Sequence, residues 1–179
     1  ESLFWDDPPG EDLLRSLTSL GQMVPALAEI VDDRPRILAG RARVLALRRL
    51  PGRTLAARVV AWPGPECGQS PPVWRGLIYL ASNMGREVTE AMLVKAGRYF
   101  TAHVPGPEFF RLAGPYLGPA VTGGMRRLTQ WLELPAAADD LLFSGTVPLA
   151  GAAALAGMGQ EDFDALRPWL GRVRWSANT

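Results

Sequence analysis

Apolar positions along this chain follow two periods, and the pattern changes once. Up to about residue 61, helical spacing alternates with short strand-like runs; after Pro72 only helical spacing remains. Leu13, Leu14, Leu17 and Leu20 form one stripe, which predicts a helix over 11–20 with Gly21 ending it. Residues 26–31 read as a strand, Asp32-Asp33 as a turn and 36–39 as a returning strand, together a hairpin. Val44, Leu45 and Leu47 recur at helical spacing over 41–50, where Pro51-Gly52 stops the run. A third strand, rich in β-branched residues, is expected over 55–61. The order α-β-β-α-β is that of a small mixed-sheet domain.

Residues 62–72 break the pattern with four prolines and two glycines, and read as a surface loop. Helices are then expected over 73–80, 89–101, 108–117, 119–134, 135–143, 148–156 and 160–170, with Gly118 as a turn. Trp131 and Trp169 fall on apolar helix faces and are expected in the core. A second Pro/Gly break at 104–107 gives the expected division, 1–103 and 104–179. The fold class is therefore α+β: a small mixed-sheet domain followed by an all-helical one.

Composition sets bounds. The 179 residues are 47% apolar and 21% charged, enough for one or two domains with real cores. One cysteine, Cys67, allows no internal disulfide, and one histidine, His103, disfavours a zinc cluster. No apolar run reaches the ~20 residues of a membrane span, and no signal peptide is visible, although the opening Glu1-Ser2-Leu3 is compatible with a fragment. A cytoplasmic setting without membrane contact is expected. Net charge is only +1, but its distribution is uneven: eight arginines and no acid lie between Arg34 and Arg58.

That basic block contains the stretch with the most chemistry, Ala39-Gly40-Arg41-Ala42-Arg43. A strand end, a glycine that can take positive φ and a helix start would aim free N–H groups and the positive helix end at one point. Arg41 and Arg43 add fixed charge. The functional reading is a phosphate-binding turn. An amphipathic helix with a solvated basic face explains the same residues without a ligand. The acid pairs Asp6-Asp7, Asp32-Asp33 and Asp139-Asp140 sit at expected turns or helix ends, where capping accounts for them.

Four blocks, in order, resemble the ParB family of centromere-binding partition proteins. Leu13 to Gly21 with Gln22 to Leu27 is similar to its LxxSIxxxG…xPIxV opening. Gly40-Arg41-Ala42-Arg43-Val44-Leu45-Ala46 stands for the Gly-Glu-Arg-Arg-x-Arg-Ala box. Ser82-Asn83-Met84-Gly85-Arg86 stands for the Glu-Asn-x-Gln-Arg box. Residues 108–134 resemble the family's helix-turn-helix, and Leu134-Pro135, Ser144-Gly145 and 150–155 its following tail. The resemblance implies a ParB/sulfiredoxin-like domain that binds CTP with a divalent metal such as magnesium, then a DNA-binding domain. It also implies self-association; the family's carboxy-terminal dimerisation domain is not expected within these residues. On this reading Gly40, Arg41, Arg43, Asn83 and Arg86 line the nucleotide site, and Thr122, Arg126 and Arg127 meet DNA. Self-association is expected through apolar surface around Leu112, Leu117 and Leu128.

The departures shape the expectation. The carboxylates that serve metal and hydrolysis in the family are Arg41 and Ser82 here. A guanidinium stays protonated and cannot act as a base, and a magnesium site usually needs a carboxylate. The expected site is a degenerate CTP site without hydrolysis. The start of the recognition helix, Pro119-Ala120-Val121-Thr122-Gly123-Gly124, offers only Thr122 as a side-chain hydrogen-bonding group, and residues 105–134 carry Arg111, Arg126 and Arg127 against Glu108 and Glu133. That is little charge for a DNA binder. The alternative is therefore a regulatory or scaffold module that binds a protein partner without specific DNA reading.

Overall fold

The computed structural model describes residues 8–175, apart from the side chains of 119–122. These divide into two compact units, within Glu1–Asn83 and Met84–Thr179. The division falls ahead of the break at 104–107 chosen from composition. The reason is the helix at 90–101, which packs against the helices that follow it.

In the first unit the elements are α1 (Glu11–Ser19), β1 (Ala26–Val31), β2 (Arg34–Ala39), α2 (Arg41–Arg48), β3 (Ala57–Val59) and α3 (Pro71–Ala81). The sheet order is β2-β1-β3. β1 and β2 form an antiparallel hairpin with an irregularity between Leu27 and Ala28. Asp32 and Asp33 both take positive φ, 50° and 58°, the signs a tight two-residue hairpin turn needs. β2 begins at Arg34, earlier than expected, and includes Pro35; an edge strand tolerates the missing N–H. α2 carries the chain across so that β3 runs parallel to β1. β3 is shorter than the expected 55–61. Ahead of it, Gln22 stands in for a strand: its Nε2 donates to Ala56 O at 2.8 Å and its Oε1 accepts from Ala56 N at 2.8 Å.

α1 packs on α2 through Leu17, Ala46 and Leu47, with Leu13, Leu14, Leu50 and Leu55 around them. Of these, Leu17 and Leu47 are buried, and fully burying a leucine contributes about 2 kcal/mol. Leu20 lies outside this stripe and is exposed, because α1 ends one residue earlier, with Gly21 at φ 73°.

The second unit holds α4 (Glu90–Thr101), α5 (Gly106–Leu117), α6 (Pro119–Leu132), α7 (Asp139–Phe143), α8 (Ala152–Leu155) and α9 (Gln160–Leu170). α4 is central and buries Met92, Leu93, Val94, Ala96 and Phe100. Thr89 caps it, accepting from Met92 N, and Glu90 accepts from Leu149 N at 2.9 Å. At Gly97 an added Cβ would come within 2.9 Å of Leu132 Cδ1, so α4 and α6 approach closely. Leu117 and Leu128 are fully buried inside this unit. They are core, and cannot form the association surface expected of them. Trp131 is buried as expected, but Trp169 is 57% exposed, because Phe163 and Leu170 occupy the inward face of α9.

Arg98 closes the unit. Its guanidinium donates to Leu132 O at 2.7 Å and Leu134 O at 2.8 Å, the open end of α6, and pairs with both oxygens of Asp139 at 3.1 Å. Trp131 Nε1 donates to the same carboxylate at 2.9 Å. Arg98→Ala strands a largely buried carboxylate and the end of a helix. It should destabilise this unit by about 3 kcal/mol, measured by urea unfolding. Lysine, a point charge without the planar fork, should recover less than half of the loss.

Candidate functional site

The junction between β2 and α2 is built as its sequence suggests. Leu38 and Ala39 are buried at the strand end, and Gly40 takes φ 98°, ψ 22° before the helix begins. A Cβ at Gly40 would lie 3.0 Å from Ala26 Cβ and 3.2 Å from Ala26 Cα. Glycine is thus required twice, by its dihedral and by the adjacent β1 backbone. No side chain caps α2, and its first helical bond runs from Val44 N to Gly40 O at 3.1 Å. The first-turn N–H groups therefore lie at an uncapped, positive helix end.

Arg43 is committed elsewhere. Its Nη1 donates to Val24 O at 2.6 Å and Pro25 O at 2.9 Å. Its Cζ lies 3.4 Å from where a Gly40 Cβ would be. The guanidinium folds back over Gly40 and ties α2 to the chain leading into β1. Arg41, half-buried, takes the first helical position.

The second box is arranged differently. Asn83 Nδ2 donates to Tyr79 O at 2.8 Å and Ser82 Oγ to Ile78 O at 2.7 Å, so both side chains fold onto the last turn of α3. Arg86 belongs to the second unit, where it lines an open cleft of about 310 Å³ with Met84, Gly85, Val88 and residues 115–118. The first unit therefore brings Gly40 and Arg43 together, while Asn83 ends that unit and Arg86 lies beyond it. Neither residue expected at a metal offers a carboxylate: Arg41 is a guanidinium, and the Ser82 hydroxyl is already bonded to a carbonyl.

α5 and α6 cover the expected helix-turn-helix segment, joined by Gly118 alone at φ 62°, ψ −153°. Arg126 and Arg127 are exposed on α6, while Leu128 and Trp131 face the core. The Thr122 side chain lies outside the described residues. Arg111 on α5 is occupied by Glu108, to which its Nε donates at 2.9 Å; that hydrogen bond holds the Glu108 carboxyl below its ordinary value.

One cluster escaped the sequence reading. Glu29, on β1, is 6% exposed, with Arg75 Nε of α3 at 2.7 Å and Arg36 Nη1 of β2 at 3.4 Å. Glu29 and Arg36 are register partners. The available signal was a lone acid inside an otherwise apolar strand, with an arginine across the hairpin. Arg75 gave no signal, since its partner is distant in sequence.

No family model matches the chain, and no curated protein does. Among solved structures, it is similar to the C-terminally truncated chromosome-partitioning protein ParB from Caulobacter crescentus complexed to the centromeric parS site. The identity is 18%, over 97% of this chain and 89% of that one, with a TM-score of 0.47. The same truncated protein complexed with CTP-gamma-S gives 20% identity, 89% and 84% coverage and a TM-score of 0.27. At these values the functional reading rests on the residues themselves.

Removing the Arg43 guanidinium leaves the Val24 and Pro25 carbonyls without this donor. Arg43→Ala should lower the stability of the first unit by about 2 kcal/mol, with no ligand present, as read by chemical unfolding. An unchanged unfolding midpoint would show that the clamp contributes nothing.

Proposed function

We propose that this chain is a ParB-like DNA-binding protein of chromosome- or plasmid-partition type with a degenerate CTP site. The observation that carries the reading is the strand–Gly40–helix junction. It stands where the family's arginine-rich box would be, within four blocks that keep the family's order. The uncapped start of α2 still favours an anion. Arg43 already serves two carbonyls, and Arg41 replaces a carboxylate. CTP binding is therefore weak, with little metal dependence, and no hydrolysis accompanies it. DNA is met by α6, with Arg126 and Arg127 on phosphates and Thr122 as the side-chain donor at its start.

A second reading is a protein-binding module without specific DNA reading. It is favoured by the scarcity of charge on this segment, where Arg111 is already paired with Glu108.

A mobility-shift assay on genomic fragments with a salt titration separates the two. If Arg126 and Arg127 are the main phosphate contacts, log K should fall with log salt at a slope of about −2 per chain, and R126A/R127A should abolish the shift. Absence of binding at low salt leaves the protein-binding module. Separately, steady magnesium-dependent phosphate release from CTP would overturn the degenerate site.

A further inference from the structure

The geometry points to the loop between α1 and β1 as a docking site for an acidic peptide segment with an apolar anchor. The inference rests on the second reading above, the protein-binding module, and names its surface. Leu20, Met23 and Val24 are 69%, 76% and 61% exposed, and Pro25 beside them is exposed as well. Single apolar side chains scattered over a surface are ordinary; a run of them on one loop is a patch.

The loop is held from behind. Gln22 Nε2 donates to Val24 O at 3.0 Å and to Ala56 O at 2.8 Å, while its Oε1 accepts from Ala56 N at 2.8 Å. Arg43 Nη1 donates to Val24 O at 2.6 Å and Pro25 O at 2.9 Å. Arg53 Nη2 donates to Thr18 O at 3.0 Å, just ahead of the loop. The carbonyls are thus engaged from the side of α2 and the chain entering β3, and the apolar side chains are left outward. Those bonds use main-chain carbonyls that any residue supplies, so folding does not call for leucine, methionine and valine at these exposed positions. A surface fixed in advance loses little freedom on binding.

Charge selects the occupant. Arg53 stands at the start of the loop and Arg43 at its end, each within 3.0 Å of main-chain oxygen. Carbonyls engage these N–H groups without cancelling their charge, and neither arginine has an acid partner among the described residues. Residues 13–28 and 40–58, which build the patch, contain no acid. An apolar patch between two cations matches a segment that sets carboxylates on either side of an apolar side chain. A basic segment is repelled, and a neutral one gains only the apolar contact. A lipid surface is the poorer match, since attachment to it draws on a long apolar helix face or a polybasic run. Here the two guanidinium groups are turned back to the main chain.

The test is selection of a phage-displayed random peptide library on the full chain, with affinities of the enriched peptides read by fluorescence anisotropy. The expected peptides share acids on both sides of an apolar residue and bind with Kd on the order of 10⁻⁴ M, more weakly as salt is raised. M23D/V24D should weaken them by about tenfold or more, with unchanged far-UV circular dichroism. Enriched peptides without acids, or acidic ones that bind M23D/V24D equally well, overturn this site and leave the protein-binding module standing. No enrichment above background overturns the site too, whereas the module itself stands or falls by the mobility-shift assay. Binding to phosphatidylglycerol vesicles that M23D/V24D loses, in place of peptide binding, overturns the peptide in favour of a lipid surface.

Discussion

Arg98 holds the second unit together because it solves three problems with one planar group. The end of α6 leaves carbonyls without intrahelical partners. Asp139 needs a counter-charge at a largely shielded position, and buried Trp131 needs an acceptor for its N–H. The guanidinium satisfies the carbonyls and Asp139 directly, and fixes the carboxylate that accepts from Trp131. Charge-assisted, forked hydrogen bonds are stronger than neutral ones and fix direction as well as distance. The position of α6, with Arg126 and Arg127 on its exposed side, is set from its C-terminal end by α4.

The first unit repeats the device with other residues. Arg43 holds the Val24 and Pro25 carbonyls, Arg53 donates to Thr18 O at 3.0 Å, and Arg75 neutralises Glu29 together with Arg36. This changes the meaning of the basic block between Arg34 and Arg58. Arg36, Arg43 and Arg53 each have internal acceptors, so a count of arginines overstates the positive charge offered to a ligand. Arginine suits these tasks because one fork reaches several acceptors and its charge does not titrate away.

The local grammar of the chain was legible. The Gly40 turn, the Asp32-Asp33 hairpin, Gly21 after α1 and the switch to helices after Pro72 follow from residue chemistry that acts over a few positions. What was hidden depends on packing. Trp169 and Leu170 are adjacent on an apolar helix, and nothing in their spacing says which one faces inward. Leu117 and Leu128 were expected on an apolar association surface; both are core of the second unit. Asp139-Asp140 looked like a capping pair, whereas Asp139 is the acceptor for Arg98 from a distant helix. The side chains of the expected site had the same fate: Arg43 and Asn83 were assigned to a ligand by their place in a motif, and both donate to main-chain carbonyls.

The β2–α2 junction is held by the fold itself. Gly40 is fixed by φ 98° and by the 3.0 Å approach to Ala26, whether or not an anion ever sits beside it. Arg43 is fixed by the Val24 and Pro25 carbonyls on the same terms. Gly40 and Arg43 are therefore both accounted for by folding, without a ligand. At the two positions where the resemblance leads one to expect carboxylates, this chain has Arg41 and Ser82. Ser82 has turned back to its own helix, and Arg41 brings positive charge where a metal would need negative. An anion at this junction would meet the uncapped start of α2 and not the Arg43 fork, which already donates to two carbonyls.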